Sequence, residues 1–166
     1  LSNQLHIYLS SMYQIKMGKQ NQYIAQLEKL LTHLKNAKLG YLKAADHANS
    51  PEEKRYLNQE ALLRNRYFQE ALNEIQNLGV SYDDLVVSGF NFNQLLISSI
   101  DTLKATALEK CLEADTILIE IYQAIGKIDC DTTKFKNNLD RLLEAAEKNE
   151  ILVSNYPTKK EIDSRY

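Results

Sequence analysis

The sequence predicts an all-α protein, a four-helix bundle with a long crossover, on three observations. Apolar residues recur at spacings of three and four along several long stretches. Explicit helix start and stop signals flank those stretches. Only two prolines and five glycines in 166 residues leave few places where a helix must break. With 44% hydrophobic and 25% charged residues, the chain is expected to form one domain that buries a core without disulfide staples.

The first fifteen residues contain no Lys, Arg, Asp or Glu, yet Leu5, Tyr8, Leu9, Met12 and Ile15 or Lys16 follow helical spacing. Residues 1–20 therefore read as an N-terminal helical extension, with a segment at 3–17 from which the first bundle helix can continue. Residues 21–48 give that helix, with Ile24, Leu27, Leu31, Leu34, Lys38, Tyr41, Ala45 and Ala48 in unbroken threes and fours. Ser50-Pro51-Glu52-Glu53 then supplies an N-cap serine, a proline at the first helical position and a capping-box glutamate. So short a connection sets the second helix, 51–78, antiparallel to the first. Its stripe is Leu57, Ala61, Arg64, Phe68, Ala71 or Leu72, Ile75 and Leu78, with Gly79 as the stop.

Residues 80–105 are too long for a hairpin between helices and read as a crossover carrying a short helix at 92–104. A capping box at Thr106-Ala107-Leu108-Glu109 starts the third helix, 106–126, with Cys111, Asp115, Leu118, Tyr122 and Ile125 inward. The crossover makes the second and third helices parallel. After a turn at Asp129–Thr132 the fourth helix, 132–154, turns Phe135, Leu139, Leu142, Ala146 and Val153 inward. The bundle domain is 21–155, and 156–166 is a charged C-terminal tail.

A net charge of −2 and a pI near 6.0, with acids and bases interspersed, give no footprint for nucleic acid. No run is apolar enough to span a bilayer, and Lys16 alone in residues 1–17 offers little attraction to an anionic membrane surface. Cys111, on a helical apolar face, reads as a small buried hydrophobe, and Cys130, in the turn, as the more accessible thiol. Both suit a reducing compartment such as the cytoplasm, and no signal-peptide pattern is present. Glycine-rich phosphate loops and local nucleophile motifs are absent from the sequence.

Charge sits on the stripes. Lys38, Arg64 and Asp115 fall at seam positions, where an ionised group must pair, bind something or cost several kcal/mol. Either these residues form an internal ion-pair cluster with Glu60, or their long stems lie on the seam while the charged heads reach water. Of the ten tyrosines, Tyr41, Tyr56, Tyr67 and Tyr122 lie at or beside inward positions, where phenols pack and donate one hydrogen bond.

The segments "NAKLGYLKAADHANSPEEKRYL", "RYFQEALNEIQNLG" and "EKCLEADTILIEIYQAI" resemble the small bacterial ferritin-like four-helix-bundle domains of uncharacterised function, over residues from about 27 to 155. The resemblance aligns Lys38 with a family glutamate, Glu60 with a second-helix acid, Lys110-Cys111 with a Glu-Cys step, and Asp115 with the acid four residues after that cysteine. Glu144-Ala145-Ala146 stands where relatives can have Glu-Ala-His. It implies a ferritin-like fold with a degenerate metal centre. A working di-metal site also needs two Glu-x-x-His pairs, and the chain has none, while His6, His33 and His47 lie off the seam.

The expectation is therefore a non-enzymatic bundle with no cofactor. It would act as a homo-oligomer or an assembly subunit, with Leu5, Tyr8, Leu9 and Met12 as the docking face. Against this stands an extension that simply folds back on its own bundle. The alternative function is a metal-binding ferritin-like oxidase or storage protein using Glu60, Glu113, Asp115 and Glu144.

Overall fold

The computed structural model describes residues 2–85, 100–128 and 135–155, the side chains of 100–104 and 106 excepted. Among the described residues there are four α-helices, α1 (Ser2–Asp46), α2 (Pro51–Asn77), α3 (Ile100–Gly126) and α4 (Lys136–Ser154), and one 3-10 turn (Tyr82–Asp84). No strand occurs among them.

The chain enters α2 as its sequence dictates. The Ser50 hydroxyl accepts from the Glu53 N–H at 3.1 Å, and Pro51 occupies the first helical position. The Glu53 carboxylate reaches back one residue further than in a standard capping box, to the Asn49 N–H at 3.2 Å. The far end closes by a Schellman arrangement. Gly79 takes φ +92°, its N–H bonds the Gln76 carbonyl and the Val80 N–H bonds the Ile75 carbonyl. Val80 packs in the same apolar cluster as Ile75.

Cross-helix pairs fix the directions. Tyr23 with Glu74 and Lys38 with Asn65 run α1 and α2 antiparallel. Gly40 beside Cys111 and Tyr41 beside Asp115, with Tyr23 to Leu34 clustered against Leu118 to Ile125, run α1 and α3 antiparallel. Arg64 with Asp115, and Glu70 near Tyr122, make α2 and α3 parallel. Helix α4 returns antiparallel to both, through Asn138 at Tyr122 and Glu70 and through Asn149 at Tyr56. Close backbone approach is concentrated at the α1–α2, α1–α3 and α3–α4 neighbours. A stripe of small residues allows it: a Cβ at Gly40 would stand 3.1 Å from the Cys111 sulfur.

Two helix starts and one buried face differ from the sequence expectation, while the continuation of the first helix is present. Helix α1 is continuous from Ser2 to Asp46, so the segment at 3–17 does run on into the first bundle helix. Helix α3 starts at Ile100 and runs through Thr106–Glu109, because nothing between breaks it and the capping-box residues are also ordinary helix formers. Helix α4 starts at Lys136, and Phe135 at its N-cap makes no side-chain capping bond. Its buried face is Phe135, Asn138, Leu142, Ala145 and Asn149, rotated one position from the apolar set Leu139, Ala146 and Val153. The expected 92–99 part of the crossover helix, the 129–132 turn with Cys130, and the 156–166 tail lie outside the described residues.

Candidate functional site

At the centre of the bundle each helix contributes a polar side chain. Arg64, on the buried face of α2 between Ala61 and Tyr67, is fully buried, as is Asp115 on α3. The guanidinium forks onto the carboxylate, Nε to Oδ1 at 3.1 Å and Nη2 to Oδ2 at 2.6 Å. Its second Nη2 hydrogen goes to the Tyr41 hydroxyl at 3.1 Å. Nη1 donates to the Glu60 carbonyl at 3.2 Å and to the Glu60 carboxylate. All five N–H donors of the guanidinium are therefore used.

Tyr41, from α1, closes the circuit. Its hydroxyl donates to Asp115 Oδ2 at 2.5 Å and accepts from Arg64 and from the Asn149 amide of α4. The Asn149 carbonyl oxygen in turn accepts from the Tyr56 hydroxyl of α2 at 3.0 Å. The Arg64 guanidinium carbon also lies 4.3 Å from the Tyr41 ring centroid, so attraction of the cation to the ring adds to the hydrogen bond.

The electrostatics follow from this enclosure. Burial pushes the Tyr41 phenol well above its ordinary range, and the Asp115 carboxylate beside it pushes the same way. Burial and then Asp115 raise the Cys111 thiol likewise, so this fully buried cysteine is a packing group rather than a nucleophile. Burial acts to lower Arg64, but Asp115, Tyr41 and Glu60 together outweigh it and hold the guanidinium above its usual value. The centre carries one buried cation, one buried anion and a second carboxylate, Glu60, at its partly exposed rim.

A smaller polar group lies towards the other end of the core. Asn138 donates to Glu70 at 2.9 Å and to the Tyr122 hydroxyl at 3.4 Å, and the Phe135 ring lies 5.8 Å from the Tyr122 ring. The Tyr67 hydroxyl is buried with no hydrogen-bond partner among the described residues.

Two clefts open along the α2–α4 seam, with volumes of about 370 and 260 Å³. The smaller is lined by Tyr56, Glu60, Leu63, Arg141, Glu144 and Lys148, and both share Tyr56 and Lys148. The Lys148 ammonium sits 3.9 Å from the Tyr56 ring centroid, and the mixed charges of these walls favour no single sign of ligand.

The structure brings Glu60, Arg64 and Asp115 together and leaves Lys38 out. Lys38 is half-buried at the flank of α1 and donates to Asn65 at 3.0 Å. Between Leu34 and Tyr41 the helical spacing passes equally well through residue 37 or 38, and α1 buries Ala37. The four carboxylates of the metal alternative are also not gathered. Glu113 is exposed and pairs with Lys110 at 2.9 Å, Glu144 is exposed at the cleft rim, and Arg64 holds Glu60 and Asp115. Among the described residues no group of three or more His, Cys, Asp or Glu is placed to hold a metal ion.

Sequence reasoning missed Asn138 and Asn149. Asn138 sits one residue from the apolar alternative Leu139, and the signal was two asparagines eleven apart within a helix, a residue that gains little from helix formation. Tyr41 was placed inward, but not as the group that joins all the others.

The second notable surface is the N-terminal part of α1. Residues 2–18 are exposed throughout, and Leu5, Tyr8, Leu9, Met12, Tyr13 and Ile15 leave between 51% and 66% of their surface in water. These six share one side of the helix, while Asn3, His6, Ser10 and Gln14 share the other. Ile7 and Met17 are exposed as well. No helix among the described residues is long and apolar enough to cross a membrane. Comparison with family models, with curated proteins and with solved structures finds no match to this chain.

Proposed function

We propose that this protein works by association, as a homo-oligomer or a subunit of an assembly, and that its docking surface is the N-terminal arm of α1 rather than the polar centre of the bundle. The arm carries the proposal: a helix with a continuous exposed apolar face that no other described residue covers. Monomeric soluble proteins rarely expose so large a contiguous apolar patch, and such patches mark interaction sites.

The centre supports the same reading from the other side. Every donor of Arg64 is taken, the Tyr41 hydroxyl donates once and accepts twice, and both Asp115 oxygens accept from these two residues, so the groups are committed to one another. In this reading the chain is a ferritin-like bundle, a kinship supported by parallel α2 and α3 across one long connection. Arg64 then supplies to Asp115 and Glu60 the positive charge that a divalent ion supplies in a metal-binding bundle. A ligand set of this kind suits a scaffold, not an oxidase or a store.

The test uses the full chain with Leu5, Leu9 and Met12 changed to Gln, which keeps helix propensity and removes apolar surface. The expected result is a native mass reduced to the 19.1 kDa of one chain, with the bundle still unfolding cooperatively at a midpoint that no longer depends on protein concentration. A lowered midpoint with no change of native mass would show that the arm serves its own fold, and would overturn the proposal.

A further inference from the structure

We infer that the partner of the arm is a second copy of this chain, the two arms lying antiparallel with Leu9 near their crossing. This inference rests on the arm being the association surface. Its first support is continuity. Leu5, Leu9, Met12, Lys16 and Lys19 lead by fours and threes into Tyr23, Leu27, Leu30 and Leu34, the face that α1 buries in the bundle. Helix α2 ends at Asn77 alongside Tyr23, whose hydroxyl bonds Glu74 at 3.0 Å. Beyond that level the core-facing stripe runs on with nothing among the described residues beneath it. The surface that completes it is another helix.

The area fits a dimer. The six large apolar side chains that share one side of the arm, each more than half exposed, offer ~600 Å² of apolar surface if full burial of one removes roughly 100 Å² or more. A standard interface buries about 800 Å² per partner, of which a little over half is apolar.

Charge selects the partner and the direction. A segment without Lys, Arg, Asp or Glu from residue 1 to 15 offers no electrostatic recognition to an acidic or basic partner, and none of it repels its own copy. Lys16 and Lys19 lie on the stripe at the base of the arm. A parallel pair would stack each on itself, whereas an antiparallel pair sets them about 25 Å apart at opposite ends of the seventeen-residue arm. The antiparallel pair is isologous, so it closes on itself. It also brings each arm tip to the end of the other bundle, where Tyr82 stands 56% exposed after α2.

Disulfide trapping tests the inference in the full chain with Cys130→Ser. With Leu9 at the crossing, residue 5 of one arm faces residue 13 of the other. Mixed Leu5→Cys and Tyr13→Cys chains should oxidise to a linked dimer, and Leu5→Cys alone should not. The parent chain should sediment at about twice 19.1 kDa. Self-linking of Leu5→Cys alone would overturn the antiparallel arrangement. A parent chain that stays monomeric at all concentrations while its arm binds an apolar dye would overturn the second copy as occupant but leave the arm as a docking surface for another protein. A monomer whose arm binds no dye and resists protease would overturn both readings.

Discussion

The centre of the bundle and the arm of α1 invert the usual placement of polar and apolar groups. Around Arg64 a charged cluster is buried among four helices, and along residues 5–15 a run of leucine, isoleucine, methionine and tyrosine stands in water. The buried charges are complete in themselves, because every donor and acceptor finds its partner within the chain. The exposed apolar face is the part that no other described residue covers. Chemical richness alone does not mark the working part of a protein; what counts is which groups the fold leaves unsatisfied.

Removing one member of the central pair breaks the comparison most severely. Asp115→Ala leaves a buried guanidinium without its carboxylate, and chemical unfolding should register a loss of about 3–5 kcal/mol. Arg64→Met combined with Asp115→Leu should recover most of that loss, since a buried pair adds little beyond an apolar replacement of similar volume. If Asp115→Ala is mild, the centre is not the closed unit described.

Tyr41→Phe is the next step down. It removes one donor to Asp115 and the shared acceptor of Arg64 and Asn149, and should cost about 1–3 kcal/mol. The same residue contributes to the response to alkali. The folded chain holds the Tyr41 proton above the ordinary 10.0 and the Cys111 proton above the ordinary 9.0, burial being the first cause and Asp115 the second. The native state therefore keeps protons that the unfolded chain loses. Their contribution is complete below about pH 9 and is lost progressively as pH rises towards the folded values. Denaturation followed from pH 8 to 11 should fall more gently in Tyr41→Phe and in Cys111→Ala than in the parent.

Lys38→Met sharpens the boundary of the centre. Its bond to Asn65 is partly exposed, so its removal should cost no more than about 1 kcal/mol by thermal melting, well below Asp115→Ala. Least of all, Leu9→Gln should leave the unfolding free energy of the monomeric bundle within about 0.5 kcal/mol of the parent, even as it weakens association.

The helical class, the cap at Ser50, the stop at Gly79 and the parallel run of α2 and α3 were legible from spacing and punctuation, because these are set by local chemistry. Arg64 and Asp115 were legible as misfits, since a charge on an apolar stripe has few causes. Lys38, Asn138 and Asn149 were not. Where two neighbouring residues both satisfy the three-and-four rule, only contacts from distant segments choose between them, and apolar bias chose the wrong branch in α4.

Native-state hydrogen exchange at two protein concentrations tests the central contrast most directly. Amides flanking Arg64, Asp115 and Asn149 should exchange at the slow rate set by global opening. Their rates should stay below those of amides 5–17 at either concentration. Those arm amides should exchange fast in dilute protein and slow markedly in concentrated protein, because their order comes from another molecule. Arm amides that exchange at one rate at both concentrations would contradict the account.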